Sequence, residues 1–138
     1  MKEAILRLAR HRLERAHEAL RDGRLLFAQG SLTSAINRFY YAAFYAARAL
    51  LATREVDSSR HSGVITLFQK HFVKPGVVDA ETAKALPRAF EKRQTSDYGD
   101  FAILTAQEVE RIGEETTAFV AECGRACERL ASVPADTE

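Results

Sequence analysis

The chain has 138 residues, 46% of them hydrophobic, with 20 Lys and Arg against 19 Asp and Glu for a formal net charge of +1. Such a length suits one domain with a core that stands without disulfides or metals, and the apolar content excludes a disordered chain. Near-neutral charge excludes a chain-wide footprint for nucleic acid, and no apolar run reaches the ~18 residues of a membrane span. The first stretch interleaves Arg and Glu with its apolar residues, unlike a signal peptide. Cys123 and Cys127, four apart in a helical pattern, fit free thiols in a reducing compartment. A cytoplasmic protein without membrane contact is expected.

Charge is unevenly placed. Residues 1–60 hold 11 Lys and Arg against 6 Asp and Glu, residues 61–99 hold 6 against 4, and residues 100–138 hold 3 against 9. A basic end facing an acidic end across one domain explains this, and any local basic site then lies away from the last helix.

Helix one is predicted from about Glu3 to Ala28, where Ile5, Leu8, Ala9, Leu13, Ala16, Ala19, Leu20, Leu26 and Phe27 give a 3.6-residue period. Gly30 is a stop, and Ser31 or Thr33 a cap. The short connection predicts antiparallel packing of helix two on helix one. Helix two, to about Arg54, carries the run SAINRFYYAAFYAARALL, without proline or glycine. Leu32, Ala35, Ile36, Phe39, Ala43, Ala46, Ala47 and Leu50 fall on one side, and Tyr40, Phe44 and Leu51 widen the apolar arc past half the circumference. That is too wide for a surface helix, so helix two is expected at the centre of a bundle. Asn37, Arg38, Tyr41, Tyr45 and Arg48 form the opposite strip, polar yet rich in rings.

Asp57, Ser58 and Ser59 are expected to cap a third helix with Val64, Leu67, Phe68, His71 and Phe72 inward, ended by Lys74-Pro75-Gly76. Asp79 caps a fourth, predicted from Ala80 to about Gln94 and bent or split by Pro87. Thr95 to Phe101 reads as a turn. Thr105 and Glu108 match a capping box, opening a last helix to about Ala131 with Val109, Ile112, Thr116, Phe119, Val120, Cys123, Cys127 and Leu130 inward. The fold expected is all-α, one up-and-down bundle of four to five helices over residues 1–131, with a frayed tail over 132–138.

No metal site is expected. The two cysteines lack a second Cys/His pair for a tetrahedral set, and Glu14-x-x-His17 is a lone copy of a motif that di-iron bundles use twice. No glycine-rich phosphate loop or Ser-His-Asp arrangement calls for a cofactor. His11 and His17 sit among arginines, and His71 lies on an apolar side. His61 differs: it opens helix three in Arg60-His61-Ser62-Gly63, where free backbone N–H groups favour anions. In Glu91-Lys-Arg93-Gln-Thr-Ser-Asp97-Tyr98, Arg93 suits a phosphate or carboxylate, Asp97 is its expected partner, and Tyr98 offers a hydroxyl and a stacking face.

Taken in order, these pieces resemble the HEPN family of small helical-bundle proteins. The resemblance spans about Ala28 to Phe101. It rests on Gly30 with Ala35-x-Asn37-Arg38-x-Tyr40-Tyr41-Ala-x-Phe44, on His61-Ser-Gly63 followed by Phe68 and Phe72-Val73-Lys74-x-Gly76, and on Arg93-x-x-x-Asp97-Tyr98. It is similar to the branch often encoded beside a minimal nucleotidyltransferase. The resemblance implies a homodimer, a nucleotide or RNA ligand, and a nucleotidyltransferase partner in a toxin–antitoxin-like or stress system. Many members are metal-independent ribonuclease toxins with an Arg-x4–6-His motif. Here Tyr98 stands where that histidine is expected, and an unperturbed phenol with a pKa near ~10 is a poor base at neutral pH. Arg10 or Arg12 with His17, and Arg54 with His61, match the spacing in other places.

The expected ligand-binding residues are therefore His61, Arg93, Asp97, Tyr98, Asn37 and Arg38, with His61 and Arg93 the catalytic candidates. Tyr41, Tyr45 and Arg48 are the expected interface. Two other readings remain: an endoribonuclease toxin using Arg93 with His61 or a tyrosine, and a non-catalytic interaction bundle. The family also raises Tyr98 as a target for nucleotide transfer by the partner.

Overall fold

The computed structural model describes residues 1–99 and 103–133, the side chain of Tyr98 excepted. The helices are α1 (Glu3–Ala28), α2 (Leu32–Thr53), α3 (His61–Phe68), α4 (Ala80–Ala83), α5 (Ala85–Tyr98) and α6 (Ala106–Ala131). One wider helical turn, Gln69–Val73, continues α3. No strand occurs among the described residues.

α2 lies at the centre, packed against α1, α3, α5 and α6. Ala35, Ile36, Phe39, Tyr40, Ala42, Ala43, Ala46, Ala47, Ala49, Leu50 and Leu51 are almost wholly buried, which fits its wide apolar arc. Paired residues give the directions. Arg12 reaches Arg48, and Arg15 reaches Tyr45, so α1 and α2 are antiparallel. Arg10 with Glu128 and Arg24 with Thr117 make α6 antiparallel to α1. Arg88 with Glu115 and Lys92 with Glu108 do the same for α5 and α6. The result is the expected HEPN-like helical bundle.

Glycine decides how closely three of these helices approach. The Phe39 ring of α2 lies between Gly23 of α1 and Gly113 of α6. A Cβ at Gly23 would stand 2.6 Å from Phe39 Cε1, and one at Gly113 2.8 Å from its Cζ, both below any tolerable carbon contact. Gly30, at φ +78°, makes the left-handed turn that reverses the chain between α1 and α2.

Several boundaries differ from the sequence expectation. The fourth helix is split at Lys84, not at Pro87. Pro87 then falls in the first turn of α5, where backbone N–H groups lack helical acceptors anyway and its missing donor costs little. Thr95 to Tyr98 is helix rather than turn. The Thr95 hydroxyl donates to the Glu91 carbonyl at 3.0 Å, and Arg93 pairs with Asp97 one turn on, so local side chains carry the helix to Gly99. Residues 100 and 101 of that expected turn, residue 102 after it, and 134–138 of the expected tail lie outside the described residues.

Asp79 and the Thr105–Glu108 box cap as expected. Ser31 and the 57–59 stretch do not cap through their side chains. Asp57 instead accepts from Arg48 and from the Ser58 N–H, and the Ser58 hydroxyl accepts from the Arg60 N–H. Cys123 and Cys127 are buried in the core as free thiols, and burial pushes both pKa values up.

Candidate functional site

The site grows from one turn of α2. Tyr40, Tyr41 and Phe44 occupy i, i+1 and i+4, so their rings share an edge of the helix. Tyr40 and Tyr41 meet edge to face at 5.1 Å between centroids, and Tyr40 and Phe44 lie 5.7 Å apart. Phe90 of α5 closes the cluster at 5.7 Å from Tyr40.

His61, the first residue of α3, is laid onto these rings. It stacks on Phe44 at 4.5 Å and 28°, and meets Tyr41 edge-on at 6.0 Å. The buried Tyr40 hydroxyl and His61 Nδ1 form a hydrogen bond of 2.6 Å. Burial raises the Tyr40 pKa, so the phenol stays protonated and can serve as donor or acceptor. Burial, then the positive charges of Arg93 and Arg48, lowers the His61 pKa, which favours a neutral imidazole at neutral pH. With Nδ1 engaged by Tyr40, Nε2 is the nitrogen left for other partners.

The start of α3 is fixed by its own small residues. A side chain at Gly63 would overlap the Ser58 hydroxyl, so the loop lies directly against the first turn. Asp57 anchors that loop to α2 through two contacts to Arg48, the shorter 2.7 Å, and faces Arg12 of α1 at 3.6 Å. The bond from Arg48 is the chief reason the Asp57 pKa is lowered.

Arg93, on α5, reaches the same rings. Its Cζ lies 5.3 Å from the Tyr40 centroid and 5.4 Å from the Tyr41 centroid, within cation–π range. Its Nε is buried and lies 3.2 Å from Asp97 Oδ2 without the alignment of a hydrogen bond. His61 and Arg93 are thus far apart in sequence yet share Tyr40 and Tyr41 as a common floor.

The other expected residues extend this face. Arg38 lies over Tyr41 at 5.2 Å, and its guanidinium donates twice to Asn37 Oδ1. Arg15 lies over Tyr45 at 5.1 Å, and Arg48 over Phe44 at 5.9 Å. The strip of Asn37, Arg38, Tyr41, Tyr45 and Arg48 is half-buried throughout, partly beneath its own arginines. Tyr98 is the last residue of α5, and its side chain lies outside the described residues. His11 and His17 are exposed on α1, and His71 is half-buried in the wider turn, so none joins His61. Among the described residues no cluster of metal-ligating side chains occurs, and no helix is long and apolar enough to cross a membrane.

Sequence reasoning missed three residues here. Tyr40 and Phe44 enter the sequence reading through the apolar arc and the family motif without a site role, and Phe90 has no role. The available signal was Tyr40 itself, because a buried phenol requires a hydrogen-bond partner.

The family model for the HEPN domain matches residues 9–126. The chain belongs to the HEPN domain family. This HEPN chain is 44% identical over 95 residues to a UPF0332 protein of Thermotoga maritima, covering 69% of the chain and 72% of that protein. It is 34% identical over 98 residues to "Putative toxin MJ0142" of Methanocaldococcus jannaschii, covering 71% and 67%. "Putative toxin MJ0605" of the same organism is 32% identical over 108 residues, covering 78% and 80%. In this HEPN bundle the rings of Tyr40 and Tyr41 carry His61 of α3 and Arg93 of α5.

Proposed function

We propose that this HEPN protein binds the phosphate of a nucleotide or RNA across Arg93 and His61. It acts as a homodimer with a nucleotidyltransferase partner in a toxin–antitoxin-like or stress system. One observation carries the binding site: Arg93 and His61 rest on the same pair of tyrosine rings. A guanidinium is a planar donor set for phosphate oxygens, and the first backbone N–H groups of α3 add a positive partial charge beside His61. The toxin names of two relatives support the wider setting.

The test is binding of a labelled RNA oligonucleotide and of nucleoside phosphates to wild type, Arg93→Ala and His61→Ala. Each variant should bind at least about tenfold more weakly, as expected for a lost charge-assisted contact. Equal binding by all three, or none by wild type, rejects the reading. Mass measurement with and without the neighbouring gene product tests the assembly, and Tyr41→Ala with Tyr45→Ala should shift the dimer toward monomer.

A second reading is a metal-independent endoribonuclease. The neutral His61 with Nδ1 held by Tyr40 favours it. Nδ1–H would donate to the Tyr40 oxygen, Nε2 would take the proton of an RNA 2′-hydroxyl, and Arg93 would stabilise charge developing on the phosphorus. It predicts RNA cleavage in chelator that His61→Ala abolishes. No product at high protein concentration rejects it and leaves phosphate binding intact.

A further inference from the structure

Beside Arg93 runs a groove of about 380 Å³ lined by Leu26, Thr33, Ser34, Asn37, Arg38 and Asp97. This volume lies within the ~300–1,000 Å³ typical of small-molecule sites. The groove adjoins the phosphate-binding face directly. Asp97 Oδ2 is 3.2 Å from Arg93 Nε, and Arg38 and Arg93 both lie over Tyr41, at 5.2 and 5.4 Å.

The lining has one distinctive composition: a single carboxylate among donors. Thr33 and Ser34 supply hydroxyls. Asn37 Oδ1 already accepts from Arg38 at 2.9 and 3.2 Å, so its amide is left with Nδ2 to donate. Leu26 supplies an apolar wall. A base edge that suits this set presents N–H groups to Asp97 and a carbonyl to the donors.

We propose that this groove is a nucleobase subsite selective for guanine, with the base edge on Asp97 and its phosphate on Arg93. The inference rests on the phosphate-binding reading of Arg93 and His61, and adds the base to it. Guanine carries two adjacent donors, N1–H and N2–H, beside its O6 acceptor. Adenine N1 and cytosine N3 direct a lone pair at the carboxylate. Uracil offers one N–H flanked by two carbonyls. A site built around a hydrogen bond rejects ligands that lack it far more strongly than an apolar pocket does.

The experiment is calorimetric titration of the full chain with guanosine, inosine and adenosine monophosphates and with ribose 5-phosphate, for wild type and Asp97→Asn. Wild type should prefer the guanosine ligand about tenfold or more over the adenosine ligand and ribose 5-phosphate. Inosine monophosphate, which lacks the 2-amino group, should fall between. Asp97→Asn should reduce the guanosine preference below about threefold while ribose 5-phosphate binds no more weakly, because a counter-charge of Arg93 has gone. Equal binding of all four ligands by wild type overturns the guanine subsite and leaves the phosphate reading standing. A guanosine preference that survives in Asp97→Asn also overturns it. Failure of every ligand to bind wild type overturns the guanine subsite, and failure of the RNA oligonucleotide as well overturns the phosphate reading.

Discussion

Phe39 and Tyr40 are neighbours on α2, about 100° apart around its axis, and their surroundings differ completely. Phe39 fills a slot between two glycines on two other helices. Its role is shape. Tyr40 carries an arginine over its ring and an imidazole on its hydroxyl. The first ring sets how closely helices pack, and the second sets which charges stand together. Close packing of this kind is unforgiving because a filled slot cannot relax.

The sharpest way to break the contrast is Phe39→Ala, which should cost about 3–5 kcal/mol in urea unfolding. Gly113→Ala should cost about 1–3 kcal/mol by forcing a methyl against the same ring. Both variants should keep nucleotide affinity where they remain folded. A lost affinity in the folded state would show that the two sides of α2 are coupled.

Acidification probes the Tyr40 side. The folded imidazole of His61 holds its proton less tightly than an unfolded one with a pKa near ~6.5. The unfolded chain therefore binds more protons below about pH 6.5, and stability should fall as pH drops from there through the lower folded value. Chemical unfolding at pH 7.5 and pH 5 should show this decline, and His61→Phe should lessen it. Tyr40→Phe keeps the rings but removes the hydroxyl, at about 1 kcal/mol. Imidazole nitrogen shifts should then report a mixture of tautomers where wild type shows one.

Arg93→Ala should move stability least, by about 0–1 kcal/mol, because the Arg93–Asp97 pair is only partly buried and is expected to gain little. A large binding loss with so small a stability change would separate a ligand-facing cation from a structural one. A loss of several kcal/mol would instead place Arg93 with Phe39 as part of the packing.

The sequence made α1, the central place of α2 and the start of α6 readable, because each rests on a local signal: a period, a wide apolar arc, a capping box. It misplaced the break in the fourth helix, since proline is harmless within a first turn and Lys84 carries no breaking signal. It read Thr95–Tyr98 as turn by composition, while the Arg93–Asp97 pair and the Thr95 hydroxyl support helix. For the site, His61 and Arg93 stood out as residue types at helix positions, but their common floor was not visible. Which rings a histidine rests on depends on helix rotation and on the path of the 54–60 loop, and neither is a local property. Tyr40 was hidden for the same reason: its position marked it as core, and only the fold supplied its partner.

The anchoring of that loop extends the reach of the site. Asp57 is held from α2 by Arg48 and faces Arg12 on α1, while Ser58 occupies the space beside Gly63. The imidazole's aim is thus inherited from side chains of the loop and of α1 and α2. A change at Arg12, on α1, should be felt as a loss of orientation in the imidazole before it is felt as a loss of fold.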